Sequence, residues 1–133
     1  MANGKVSILV VDDQPGIRQL LYEVLQVGHW EVRLAANARE ALEEIGQSPP
    51  LLAIIDLKMP CMNGLELLQE IKRQGFQGEV VVLSAYNDAE LLSQARELGV
   101  KYWMVKPFDL DEFMELVVGT MRELEKRSGF LSS

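Results

Sequence analysis

Two adjacent carboxylates, Asp12 and Asp13, follow the apolar run Val6 to Val11, and a third, Asp56, follows the run Leu51 to Ile55. Ser84 follows Val80 to Leu83, and Lys106 follows Tyr102 to Val105. Clustered carboxylates repel one another unless a cation sits among them. An all-oxygen set selects a hard cation such as Mg2+, which keeps several waters and takes phosphate oxygens as co-ligands. A carboxylate can also attack phosphorus and form an aspartyl phosphate. Such a transfer needs charge stabilisation on the equatorial oxygens, which a cation, Lys106 and the Ser84 hydroxyl can share. Singly, each residue has an ordinary explanation. An aspartate at a strand end often caps a helix, and Lys106-Pro107-Phe108 alone is a turn. The weight lies in all of them standing directly after apolar runs.

Those runs alternate with helical patterns. Ile17, Leu20, Leu21, Val24 and Leu25 recur at helical spacing, as do Ala38, Ala41, Leu42 and Ile45. Leu67, Leu68 and Ile71 mark a third helix, Leu91, Leu92, Ala95 and Leu98 a fourth, and Phe113, Leu116, Val117 and Leu124 the last. Gly28, Gly46, Gly75 and Gly99 follow helical stripes, where a left-handed residue is wanted. Asn37 with Glu40, Asn87 with Glu90 and Asp109 with Glu112 have the spacing of helix-start caps. Strict alternation predicts an α/β fold, a parallel sheet with helices on both faces. The unbroken Val/Leu/Ile runs predict burial on both faces, whereas Trp30 to Ala35 alternates as an edge strand does. In such a sheet ligands bind beyond the carboxyl ends of the strands, so the polar residues above share one rim.

Composition narrows the function further. The chain has 133 residues, 48% of them hydrophobic and 25% charged, which suits one soluble domain. Its net charge of −7 argues against direct binding to nucleic acid or to an anionic membrane. No run is long and apolar enough for a signal peptide or a membrane span. One cysteine, Cys61, cannot form an internal bridge, and a reducing cytoplasm is the expected setting. The single histidine, His29, reads as a surface loop residue.

Val10-Val11-Asp12-Asp13, Asp56-Leu57-Lys58-Met59-Pro60 with Asn63-Gly64, Ser84-Ala85 and Lys106-Pro107-Phe108-Asp109 occur in that order. Together they resemble the receiver domain of bacterial two-component response regulators, over residues of about 5 to 126. The resemblance implies a flavodoxin-like, doubly wound (βα)5 fold with strand order 2-1-3-4-5, a domain over 1–126 and a short flexible tail over 127–133. It implies a phosphoacceptor signalling protein that assists its own phosphorylation and dephosphorylation, rather than an enzyme. Asp56 is then the phosphoacceptor. Asp12, Asp13, Asp56 and the backbone carbonyl of Lys58 would hold Mg2+, with Mn2+ as a substitute. Ser84 and Lys106 would contact the phosphoryl group, across a cis Lys106–Pro107 bond. Trp103 occupies the aromatic switch position, usually Tyr, Phe or His. Cys61 stands where the loop often has glycine.

Partners follow from the same resemblance: a sensor histidine kinase, and a histidine phosphotransferase or other downstream protein. Gln14-Pro15-Gly16-Ile17-Arg18, Lys58, Tyr86 and Lys106 to Asp109 are similar to the single-domain relay type of receiver. Gln14, Pro15, Gly16, Ile17, Leu20, Pro107 and Phe108 are the expected docking residues. Lys58 and Tyr86 flank the expected hydrolysis path, where they would shield a long-lived phosphoryl group. Other readings are the receiver of a longer DNA-binding regulator, a flavodoxin-like electron carrier and a small aspartyl phosphatase. The carrier needs a phosphate-binding loop after the first strand, where Asp12 and Asp13 would repel it. The phosphatase would want two aspartates one residue apart and a cap domain.

Overall fold

A computed structural model describes residues 6–128. Five strands, β1 (Ser7–Val11), β2 (Glu31–Ala35), β3 (Leu52–Asp56), β4 (Glu79–Ala85) and β5 (Tyr102–Lys106), alternate with five helices. These are α1 (Pro15–Val24), α2 (Ala38–Gln47), α3 (Gly64–Arg73), α4 (Ala89–Glu97) and α5 (Leu110–Ser128). All strand pairs are parallel, in the order β2-β1-β3-β4-β5. The order reverses between β1 and β3, which opens a crevice at their carboxyl ends.

Alternation along the strands divides the core into two layers. Ile8, Val10, Leu52, Ile54, Val81 and Leu83 pack with Leu21 of α1 and with Phe113, Val117 and Met121 of α5. Leu9, Val11, Ala53, Ile55, Val80 and Val82 pack with Ala41 of α2, Leu68 and Ile71 of α3, and Ala95 of α4. Every residue of β1 and β3 is buried, as the unbroken apolar runs require. β2 is an edge strand with one buried residue, Ala35, as its alternating pattern predicts.

The helix ends show where spacing misleads. Asn37 accepts from the Glu40 amide at 2.9 Å, while the Glu40 carboxylate reaches back one residue further, to the Ala36 amide at 2.7 Å. The reciprocal box belongs to Asn63 and Glu66, which begin α3 with two bonds of 2.9 Å. Such a cap contributes about 1 kcal/mol. Asn87 caps nothing; Asp88 holds the N-cap position of α4. Asp109 accepts from the expected Glu112 amide at 3.4 Å, and more closely from the Asp111 amide one residue earlier, at 2.7 Å. Gly75 and Gly99 take the left-handed conformation, with φ of 88° and 102°. Gly46 instead lies inside α2, and Gly28 is extended rather than left-handed; its need for glycine is steric, since a Cβ there would strike the Trp30 ring. α5 continues through Arg127 and Ser128, past the expected domain end at 126, because its pattern has no breaker there; 129–133 lie outside the described residues.

Candidate functional site

β1 and β3 end side by side at the crevice, and this brings their carboxylates together. Oxygens of Asp12, Asp13 and Asp56 lie within 4.8 Å of one another. Asp12 and Asp56 are buried, and Asp13 is half-buried. Asp12 is fixed by its neighbours: its Oδ1 accepts from the Gln14 amide at 2.9 Å, and its carbonyl accepts from Arg18 Nη1 at 2.7 Å. Asp56 Oδ1 accepts from the Lys58 amide at 3.2 Å. Gly64 makes this corner possible. A Cβ on it would sit 2.2 Å from the Asp56 carbonyl oxygen, so only glycine lets α3 start so close to the end of β3.

Lys106 crosses from β5 to meet the cluster. Its Nζ lies 3.1 Å from Asp56 Oδ2 and 3.4 Å from Asp12 Oδ2. The peptide bond to Pro107 is cis. Burial raises the pKa of Asp56 above its ordinary value, and the Asp12 charge adds to that rise. The Lys58 amide and Lys106 oppose it without cancelling it. Burial alone would lower the Lys106 pKa, yet attraction to Asp12 and Asp56 outweighs it and holds the ammonium above the usual lysine range. One ammonium therefore serves two of the three carboxylates, Asp12 and Asp56. This is an all-oxygen, electron-rich set open to a hard divalent cation, and the fit is chemical as well as spatial.

The other expected residues divide. Ser84 is buried at the end of β4, beside β5 in register with Val105. Trp103 is half-buried against the α2–α4 layer, and the Arg96 guanidinium of α4 lies 4.4 Å above its ring. Gln14, Pro15, Gly16 and Pro107 are exposed, and Leu20 is 41% exposed. Ile17 and Phe108 turn toward the core, Phe108 stacking on Phe113 at 5.5 Å. The open part of the expected docking patch is therefore Gln14 to Gly16, Leu20 and Pro107.

Two expected placements are not found. The Lys58 ammonium faces Asp88, at 3.3 Å, rather than the approach to Asp56. Tyr86 is 87% exposed and projects into solvent. The buried carboxylate of Asp88 draws Lys58 aside, and nothing packs Tyr86 down. Local pattern carries no sign of Asp88's role, because its partner lies 30 residues away. Arg18, which grips the Asp12 carbonyl, was visible only as part of the helix start. His29 is exposed, yet its Nε2 lies 2.7 Å from the buried Glu125 carboxylate.

Comparison with known proteins agrees with this geometry. The response regulator receiver domain matches residues 8–118. Sporulation initiation phosphotransferase F of Bacillus subtilis is 37% identical over 84% of this chain and 90% of its own. Response regulator protein PilR of Pseudomonas aeruginosa is 35% identical over 86% of this chain but only 26% of its own. Among solved structures, the receiver domain of NtrX from Brucella abortus superposes with a TM-score of 0.80 at 32% identity, covering 86% of this chain and 98% of that one. Five parallel strands in the order 2-1-3-4-5, an acidic crevice at the reversal and a lysine from β5 belong with these matches: the chain is a member of the response regulator receiver domain family.

Proposed function

We propose that this receiver accepts a phosphoryl group on Asp56 from a sensor histidine kinase and passes it on, or signals, by protein contact. The observation that carries the reading is the shared corner of the buried Asp12 and Asp56 and the half-buried Asp13, with the Lys106 ammonium 3.1 Å from Asp56. An Asp56 carboxylate oxygen attacks phosphorus, the bond from phosphorus to the donor nitrogen breaks, and that nitrogen keeps the electron pair. Lys106, already at the acceptor, is placed to bind a phosphoryl oxygen. Ser84, next along the rim, supplies a hydroxyl for another.

Asp12, Asp13, Asp56 and the Lys58 carbonyl would hold Mg2+, with Mn2+ as a substitute. Bound there, the cation would neutralise charge on the transferred group. The raised pKa of Asp56 fits an acceptor that is buried first and crowded by the Asp12 charge second. Likeness to a sporulation phosphotransferase supports a relay role, with a histidine phosphotransferase as the receiving partner. The exposed Pro15, Leu20 and Pro107 around the crevice suit contact with such a partner.

Incubation with a small phosphodonor and Mg2+ tests the reading by intact mass. The wild-type chain should gain one phosphoryl group, and Asp56→Asn none. Equal labelling of the variant would remove Asp56 from its role.

A further inference from the structure

Asp88 lies outside the set just described. It is buried, its side chain only 4% exposed. Its Oδ2 accepts from the Ala85 amide at 3.3 Å, and its own amide donates to the Ala85 carbonyl at 3.0 Å. It thus closes the turn that directly follows Ser84. Its Oδ1 accepts from the Lys58 ammonium at 3.3 Å, while the Lys58 amide donates to Asp56 Oδ1 at 3.2 Å. One lysine therefore touches the acceptor with its backbone and the turn after β4 with its side chain. The carboxylate is fixed by burial and a backbone amide. The lysine side chain is 67% exposed on a flexible four-carbon stem, so the ammonium is the mobile partner.

We propose that Asp88 is a positioning residue for Lys58: it draws the ammonium away from a phosphoryl group on Asp56 and so sets how fast water removes that group. The inference rests on the phosphoacceptor reading above. Loss of the group requires a water oxygen to bond to phosphorus while the bond from phosphorus to the Asp56 oxygen breaks. Asp56 leaves as carboxylate, the water's proton passes to solvent, and inorganic phosphate departs. Lys58 is anchored close enough to Asp56 for its ammonium to reach the phosphoryl oxygens and crowd that approach. A phosphoryl group and Asp88 then compete for one cation, as two anions must. While Asp88 holds Lys58, the approach stays open. When Lys58 leaves, the turn after Ser84 loses its tie to the β3 side. The same exchange would couple the covalent state of Asp56 to the start of α4.

The test is the decay rate of purified phosphoprotein for the wild type, Asp88→Asn, Lys58→Ala and the double variant. Asparagine keeps an acceptor for the Ala85 amide while removing the charge. Asp88→Asn should slow decay roughly two- to fivefold, the rate equivalent of an exposed ion pair. In the Lys58→Ala background it should change nothing. Unchanged or faster decay in Asp88→Asn overturns the proposal. So does an equal effect with and without Lys58, which would mark a turn defect not routed through the lysine. Amide spectra of the unphosphorylated protein read the contact separately: Lys58→Ala should shift the Ala85 and Asp88 resonances, and their constancy would contradict the pairing. If those shifts appear but the wild type takes no phosphoryl group on Asp56, the phosphoacceptor reading has failed, and this role of Asp88 falls with it.

Discussion

The two ends of the sheet treat charge in opposite ways. Toward the amino end, Arg33 of β2 meets the Glu44 carboxylate at 2.7 Å and also donates to the Ser48 carbonyl. Glu79, at the start of β4, has two cations, Lys101 and Arg127, each at 3.9 Å. At the carboxyl end, Asp12, Asp13 and Asp56 crowd within 4.8 Å, with Lys106 bridging two of them. One end is matched and serves stability. The other is over-supplied with negative charge, which costs stability and, on the proposed reading, is where a cation and a phosphoryl group would bind. Removing a carboxylate should therefore act with opposite sign at the two ends.

The largest effect is expected where the crowded end has its one bridge. Lys106→Met leaves the buried Asp12 and Asp56 without their ammonium, and breaking such a buried pair costs about 3 kcal/mol. Denaturant unfolding in metal-free buffer should show that loss, and Mg2+ should restore part of it. A neutral outcome would mean that the carboxylates do not repel as described.

At the matched end, Arg33→Met should cost about 1–2 kcal/mol, since it strips hydrogen bonds from Glu44 and the Ser48 carbonyl. Its cost should be the same with and without Mg2+. A Mg2+-dependent cost would blur the distinction between the ends.

Asp56→Asn should do the reverse and stabilise the protein. Its folded pKa is raised above the ordinary 3.8, so the ionised form is penalised in the fold. That penalty is absent below 3.8, appears as pH rises through the raised folded value, and persists at neutral pH. The variant should melt higher than the wild type at pH 7 in metal-free buffer. The gain should vanish in acid. A gain that grows as pH falls would reverse the sign of the argument.

The smallest effect concerns Cys61, which has φ of +68° in the loop between β3 and α3. A non-glycine residue there costs roughly 1 kcal/mol. Cys61→Gly should recover part of that, less whatever glycine adds to the freedom of the unfolded chain. Thermal melting would show a small rise, and a fall would mean that the loop has no such strain.

Much of this contrast was legible in the sequence, for physical reasons. Parallel strands buried on both faces need unbroken apolar runs, so β1, β3 and β4 announced themselves, and the polar residue after each run marked the rim. Strand order left no comparable trace in local pattern and came from the resemblance. The positions of Lys58 and Asp88 were beyond local reading, because an ion pair across 30 residues has no spacing rule. At the start of α4, Asn87 and Glu90 carry the favourable spacing, but Asp88 takes the N-cap position and turns its carboxylate to the Ala85 amide and Lys58 instead of capping the helix. Gly28 misled for a different reason. It clears the Trp30 ring, a steric need that resembles a helix stop when only the chain is read.

Carboxylates crowded at one rim and relieved by a cation set a distinct melting pattern for the wild type and Asp56→Asn with and without millimolar Mg2+. Without metal, Asp56→Asn should melt higher. With Mg2+ the wild type should rise by several degrees and the variant much less, so that the gap closes or inverts. If the wild type melts higher than Asp56→Asn in metal-free buffer, or Mg2+ raises both equally, the carboxyl end of the sheet is not the charge-crowded cation site described.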